Sequence, residues 1–176
     1  MGRFLGPSAM RPPMARRGLL HLALAAPVLL AGCRWRAPVD AAPPPPPAPA
    51  RPNIELVVQS AGDLLEFSPR ALSCPAGSHV RITFQHAGKY VSFMHNWVLI
   101  RPGTFDEVTK AAVLAGEEHG WLPANDPAII AATSMCGRGQ SVSVEFDAPP
   151  AGRYLYICST PGHSESMWGV LTVTPA

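Results

Sequence analysis

The chain of 176 residues is 47% hydrophobic and 15% charged and holds 21 prolines, which allows one core-forming domain plus extended chain but not two large domains. The formal net charge of +2 is unevenly spread: residues 1–52 carry 7 Arg against one Asp, whereas residues 53–176 carry 7 basic against 11 acidic residues, a net of −4. A mildly acidic globular part with 7% aromatics has no electrostatic footprint for nucleic acid, and that class of partner is excluded.

Residues 14–33 open with Arg16 and Arg17, run through an apolar stretch from Gly18 to Leu30, and finish with Leu30-Ala31-Gly32-Cys33. This pattern predicts a signal peptide over residues 1–32, because the stretch contains Pro27 and falls well short of the ~20 residues that span a bilayer. The ending resembles the bacterial lipobox, so Cys33 is expected to be diacylated and to become the first residue of the mature chain. Arg16-Arg17-Gly18-Leu19-Leu20 also loosely resembles a twin-arginine export signal. From residue 33 to 52 the chain is rich in Ala and Pro, with five prolines from Pro43 to Pro47, and holds almost nothing that could be buried. It reads as a tether, which in extended polyproline form at ~3.1 Å per residue reaches roughly 60 Å from a lipid anchor.

Over residues 53–176 the pattern changes to short strands, expected at Ile54–Ser60, Leu64–Ser68, Val80–Gln85, Asn96–Ile100, Ser141–Phe146, Tyr154–Cys158 and Gly169–Thr174. The clean alternation of Ser141 to Phe146 places Val142, Val144 and Phe146 on a core face. Seven to eight such strands between Pro, Gly, Asn and Asp turns predict an all-β fold, an antiparallel sandwich or Greek-key barrel. Thr104-Phe105-Asp106-Glu107 has the form of a capping box, and Val108, Ala111, Ala112 and Leu114/Ala115 follow at helical spacing, so one helix is expected as an insertion.

The segment from Cys158 to Met167 presents Cys, His and Met at the spacing Cys-x4-His-x3-Met, leaving one strand and entering the next. Thiolate, imidazole and a weak thioether suit a trigonal blue-copper centre, which needs one more imidazole. His95 supplies it, from a strand whose period of two turns His95 and Trp97 to the same side.

Met94-His95-Asn96-Trp97-Val98-Leu99, together with Cys158 to Met167, resembles azurin and the azurin-like auracyanins, and the resemblance extends over residues 53–176. It implies a cupredoxin fold holding one copper ion that cycles between Cu(I) and Cu(II), with His95, Cys158 and His163 in a plane and Met167 as a distant axial ligand. Azurin has Gly where this chain has Met94, whose carbonyl is the candidate fifth contact. The resemblance also implies that Asn96 hydrogen-bonds across to Ser159, that His86 is a structural histidine behind the site, and that electrons leave through His163 amid an apolar patch. Candidates for that patch are Phe93, Met94, Thr160 and Pro161, with Trp168 less clearly placed.

Cys74 and Cys136 do not align with the azurin disulfide. Because an exported protein keeps disulfides and a free thiol would reduce Cu(II), a Cys74–Cys136 bridge is expected, worth roughly 4 kcal/mol by chain entropy, with two separate buried thiols as the alternative. A centre with no open equatorial position argues against an enzyme. The expected role is a monomeric one-electron carrier at the outer face of a bacterial membrane, meeting redox proteins such as c-type cytochromes or membrane electron-transfer complexes. Copper storage, delivery or resistance is the alternative, and zinc would fit the same ligands without redox activity.

Overall fold

A computed structural model describes residues 51–90 and 93–176. The expected signal peptide, the lipidated Cys33 and nearly all of the tether lie outside the described residues. Nine strands are described: β1 (Asn53–Ser60), β2 (Phe67–Ser68), β3 (Ala71–Pro75), β4 (His79–Gln85), β5 (Val98–Ile100), β6 (Ile129–Ala132), β7 (Ser141–Asp147), β8 (Gly152–Ile157) and β9 (Trp168–Thr174). They form a four-stranded sheet of order β2-β1-β4-β7 facing a five-stranded sheet of order β3-β9-β8-β5-β6. The all-β sandwich is as expected, but its pairing is mixed: β1 with β4 and β3 with β9 are parallel.

The core explains this arrangement. Val58, Phe67, Val80, Ile82, Phe84, Trp97, Leu99, Tyr156, Leu171 and Val173 are buried between the sheets, and Val142, Val144 and Phe146 pack against them on the predicted face of β7. The helix α1 (Phe105–Ala115) covers the other side of the five-stranded sheet, where Val98, Ile100, Val108, Ala128 and Ile157 make a second cluster. This is why Val98, Leu99 and Ile100 are all buried and β5 shows no alternation.

Three expectations need correction. The strand expected at Leu64–Ser68 shrinks to Phe67–Ser68, because the chain after β1 turns tightly, with Leu64 N–H donating to the Ala61 carbonyl. Thr104 precedes α1, but its hydroxyl donates to the Arg101 carbonyl at 2.8 Å instead of capping the helix; this local bond competes with the box. The Cys74–Cys136 disulfide is not formed, and both side chains are buried free thiols. Cys74 lies beside Val173 near the end of β9, whereas Cys136 pairs with His95 at the opposite pole, a strand length of roughly 20 Å away. Burial pushes both thiols up, so they stay protonated and unreactive.

The parallel pairing of β1 with β4 also fixes where the described chain begins. Asn53 stands beside His79, and both strands run from there toward Gln59 and Gln85. Arg51 is bonded to Asp147 at that starting end, and His86 and Gln140 meet at the other.

Candidate metal centre

His95, expected within a strand, instead stands three residues before β5, which begins only at Val98, and is held there by a two-bond isolated bridge. Its N–H donates to the Cys136 carbonyl at 3.1 Å, and the Cys136 N–H donates back at 2.6 Å. Cys158 follows the last residue of β8, and its N–H donates to the Met167 carbonyl at 3.0 Å, closing the intervening loop at its base. Within that loop the Thr160-Pro161-Gly162-His163 turn is closed by His163 N–H to the Thr160 carbonyl at 3.0 Å. Gly162 has φ of 79°, the left-handed value that a turn with Pro before it demands and that glycine adopts without strain. Met167 N–H then returns to the His163 carbonyl at 2.7 Å.

These constraints bring three donors together. His95 Nδ1 and His163 Nδ1 are 3.1 Å apart, and Cys158 Sγ lies 3.8 Å from the first and 3.7 Å from the second. A triangle of those sides has a centre about 2.1 Å from every corner, which is the bond length a first-row metal takes to imidazole and close to the one it takes to thiolate. His95, Cys158 and His163 are all buried, and they are the metal-capable His/Cys/carboxylate cluster found among the described residues. Met167 is fully buried in the main core at the end of the same loop. The Met94 carbonyl accepts from Thr160 Oγ1 at 3.3 Å, which engages it with the loop.

The supporting shell is well defined. Asn96 is fully buried and meets Ser159 twice, accepting from its N–H at 2.9 Å and donating to its hydroxyl at 2.7 Å. The same amide also reaches the Gly120 carbonyl at 3.4 Å, tying the segment after α1 to the ligand loop. His86 stacks on His95 with centroids 4.8 Å apart. Gly88 N–H donates to His86 Nδ1, so its Nε2 carries the proton and donates to the Phe93 carbonyl at 2.8 Å. With both ring nitrogens in use, His86 has no lone pair free for a metal. Phe93 stands edge-on to the His163 ring at 5.6 Å and is exposed, as are Met94 and Pro161. Trp168 is also exposed, under the Arg70 guanidinium. The Cys136 clamp on His95 and the Gly120 contact to Asn96 escape a sequence reading, since both join segments with no shared motif.

Electrostatics favours a bound cation. Burial, reinforced by His163 and His86, lowers the His95 pKa from 6.5 to about 4, and burial lowers that of His163. Both rings therefore offer lone pairs at neutral pH. Burial raises the Cys158 thiol, outweighing bonds from Thr160 and Asn96, so metal binding must displace its proton and tightens as pH rises. In the metal-free chain the unfolded state binds the extra proton between pH 6.5 and about 4. Its stability is accordingly full above that window and falls by about 3 kcal/mol as pH drops through it. Denaturant midpoints of metal-free protein at the two ends of the window are expected to show this loss, and equal midpoints would refute the assignment.

Residues 54–174 match the profile of the copper binding proteins of the plastocyanin/azurin family. The chain belongs to that family. Its cofactor is one copper ion, and the thiol and two neutral imidazoles fit it. Auracyanin-B of Chloroflexus aurantiacus is 41% identical over 123 residues, covering 67% of this chain but only 51% of that protein. Azurin iso-2 of Methylomonas sp. strain J is 33% identical over 125 residues, covering 68% of this chain and 96% of that protein. The solved structure of auracyanin A, a blue copper protein of Chloroflexus aurantiacus, superposes with a TM-score of 0.64 at 35% identity, covering 69% of this chain and 98% of the other.

Proposed function

We propose that this family member is a one-electron carrier in which His95, Cys158 and His163 would hold the copper, with the Met167 thioether and the Met94 carbonyl as the further donors available to it. The observation that carries the reading is burial: His95, Cys158 and His163 are 1%, 0% and 7% exposed, so no substrate can reach the metal. Copper supplies the one-electron couple when bound. The residues do the rest. The bonded loop and the Asn96 clamp resist rearrangement of the donors, the shell excludes water, and the nearly buried His163 is the ring closest to the surface, flanked by Phe93, Met94, Thr160 and Pro161. This supports a carrier and not an enzyme.

The leader adds location. Residues 1–32 act as a signal peptide, Cys33 carries lipid, residues 33–52 form the tether, and residues 53–176 form the cupredoxin domain, a monomer on the extracytoplasmic side. Loss of incorporated labelled fatty acid in Cys33→Ser checks the anchor, and unchanged labelling would remove it. Its partners are redox proteins such as c-type cytochromes or membrane electron-transfer complexes, and a small apolar patch suits such brief encounters. Rapid mixing with a soluble c-type cytochrome tests the whole. Phe93→Lys is expected to slow electron exchange roughly tenfold while the visible spectrum is unchanged, and equal rates would take the patch out of the account.

A further inference from the structure

Beside the donor triangle lies a basin of about 520 Å³ whose walls include Phe93, Met94, Glu117, Trp121, Met135 and Thr160. Two of these walls are thioethers, and the fold explains why they share a face. His95 and Cys136 form an isolated bridged pair, and Met94 and Met135 each stand one residue before it, so the bridge brings both to the wall of the same basin. Both side chains are long, flexible thioethers lining one basin, so their sulfurs can converge on a single ion. Met94 is 45% exposed and Met135 is half-buried, so solvent reaches the basin on the Met94 side. Trp121 adopts a left-handed backbone with φ of 55°, unusual for a bulky residue, and helps wall the basin. Glu117 adds one carboxylate. The basin also touches the site, because Thr160 bonds the Met94 carbonyl and Phe93 leans on His163.

Thioethers are soft, uncharged donors that select Cu(I) and Ag(I) over Zn(II). We propose that Met94 and Met135 form an accessory site for a soft monovalent cation, through which Cu(I) is loaded into the buried donors. The loading role rests on the copper reading of His95, Cys158 and His163. The transfer is ligand exchange with no change of oxidation state. Bonds from Cu(I) to the two thioethers break as bonds to Cys158 Sγ and the two Nδ1 atoms form, and the Cys158 thiol proton passes to solvent.

Ag(I), which shares the closed shell of Cu(I), is the probe, titrated into the full chain isotope-labelled at its six methionine methyls. The first equivalent is expected to fill the buried donors and shift Met167, and the second to shift Met94 and Met135 together. The Met135→Leu variant, which leaves every residue of the buried site in place, is expected to lose the second event and keep the first. A second equivalent that moves neither methyl, or only one, overturns the accessory site, whereas an unmoved Met167 at the first equivalent counts against the copper reading instead. When metal-free chain is then given Cu(I) from a buffered complex, Met135→Leu is expected to fill roughly tenfold more slowly and reach the same visible band on oxidation. Equal filling rates overturn the loading role.

Discussion

Cys158→Ser is expected to abolish the intense visible band of the oxidised, copper-loaded chain. That band requires charge transfer from a thiolate, and Cys158 offers the sole sulfur within the three-donor triangle. A hydroxyl at the same place is a hard, weakly acidic donor in a fully buried position, with no reason to ionise. It can still donate its one hydrogen to either imidazole Nδ1, so the metal-free fold is expected to survive, and circular dichroism separates loss of colour from loss of structure. A blue variant would mean that another group ligates the copper. Colourless wild-type protein with stoichiometric copper would bring the storage or delivery reading forward.

Asn96→Ala is expected to have the largest effect among residues that do not touch the metal. The side chain is fully buried and satisfies three partners: the Ser159 N–H, the Ser159 hydroxyl and the Gly120 carbonyl. Alanine leaves them without a partner inside the protein, which costs about 3 kcal/mol. The ligand loop also loses the bond that fixes its first residue after Cys158, and copper affinity is expected to fall about 10–100-fold, as for other groups that orient ligands. Denaturant unfolding of the metal-free form reads the first effect, and competition with a Cu(I) chelator reads the second. A destabilisation with unaltered affinity would make Asn96 a packing residue only.

What the sequence revealed follows from how local each signal is. The alternation from Ser141 to Phe146 marks β7 to within one residue, because a half-buried strand writes its own period. Ala71–Pro75 and Ile129–Ala132 gave no such signal: the first ends in a proline, and the second is a short Ala-rich run without alternation. The site was legible for a related reason. Cys158, His163 and Met167 lie on one closed loop, so their spacing encodes their convergence, and His95 follows from the chemistry the loop lacks. Pairings between distant segments are not written this way. The sandwich sends Cys74 and Cys136 to opposite poles, while it clamps Cys136 to His95 by a ladder contact that no motif announces.

The burial of β5 on both faces has a kinetic consequence for the metal. A strand flanked by β6 and β8 and covered by α1 is expected to be among the last to exchange its amide hydrogens. His95, three residues before it, is therefore attached to the slowest-opening part of the molecule. Cys158 and Met167 close the base of a loop whose outer part, from Thr160 to Ser166, rests on a few backbone bonds and is expected to open before the strand does. The residence time of copper is thus expected to follow how often the outer loop comes away from a fixed histidine, so that a loop variant releases metal sooner at an unchanged melting temperature.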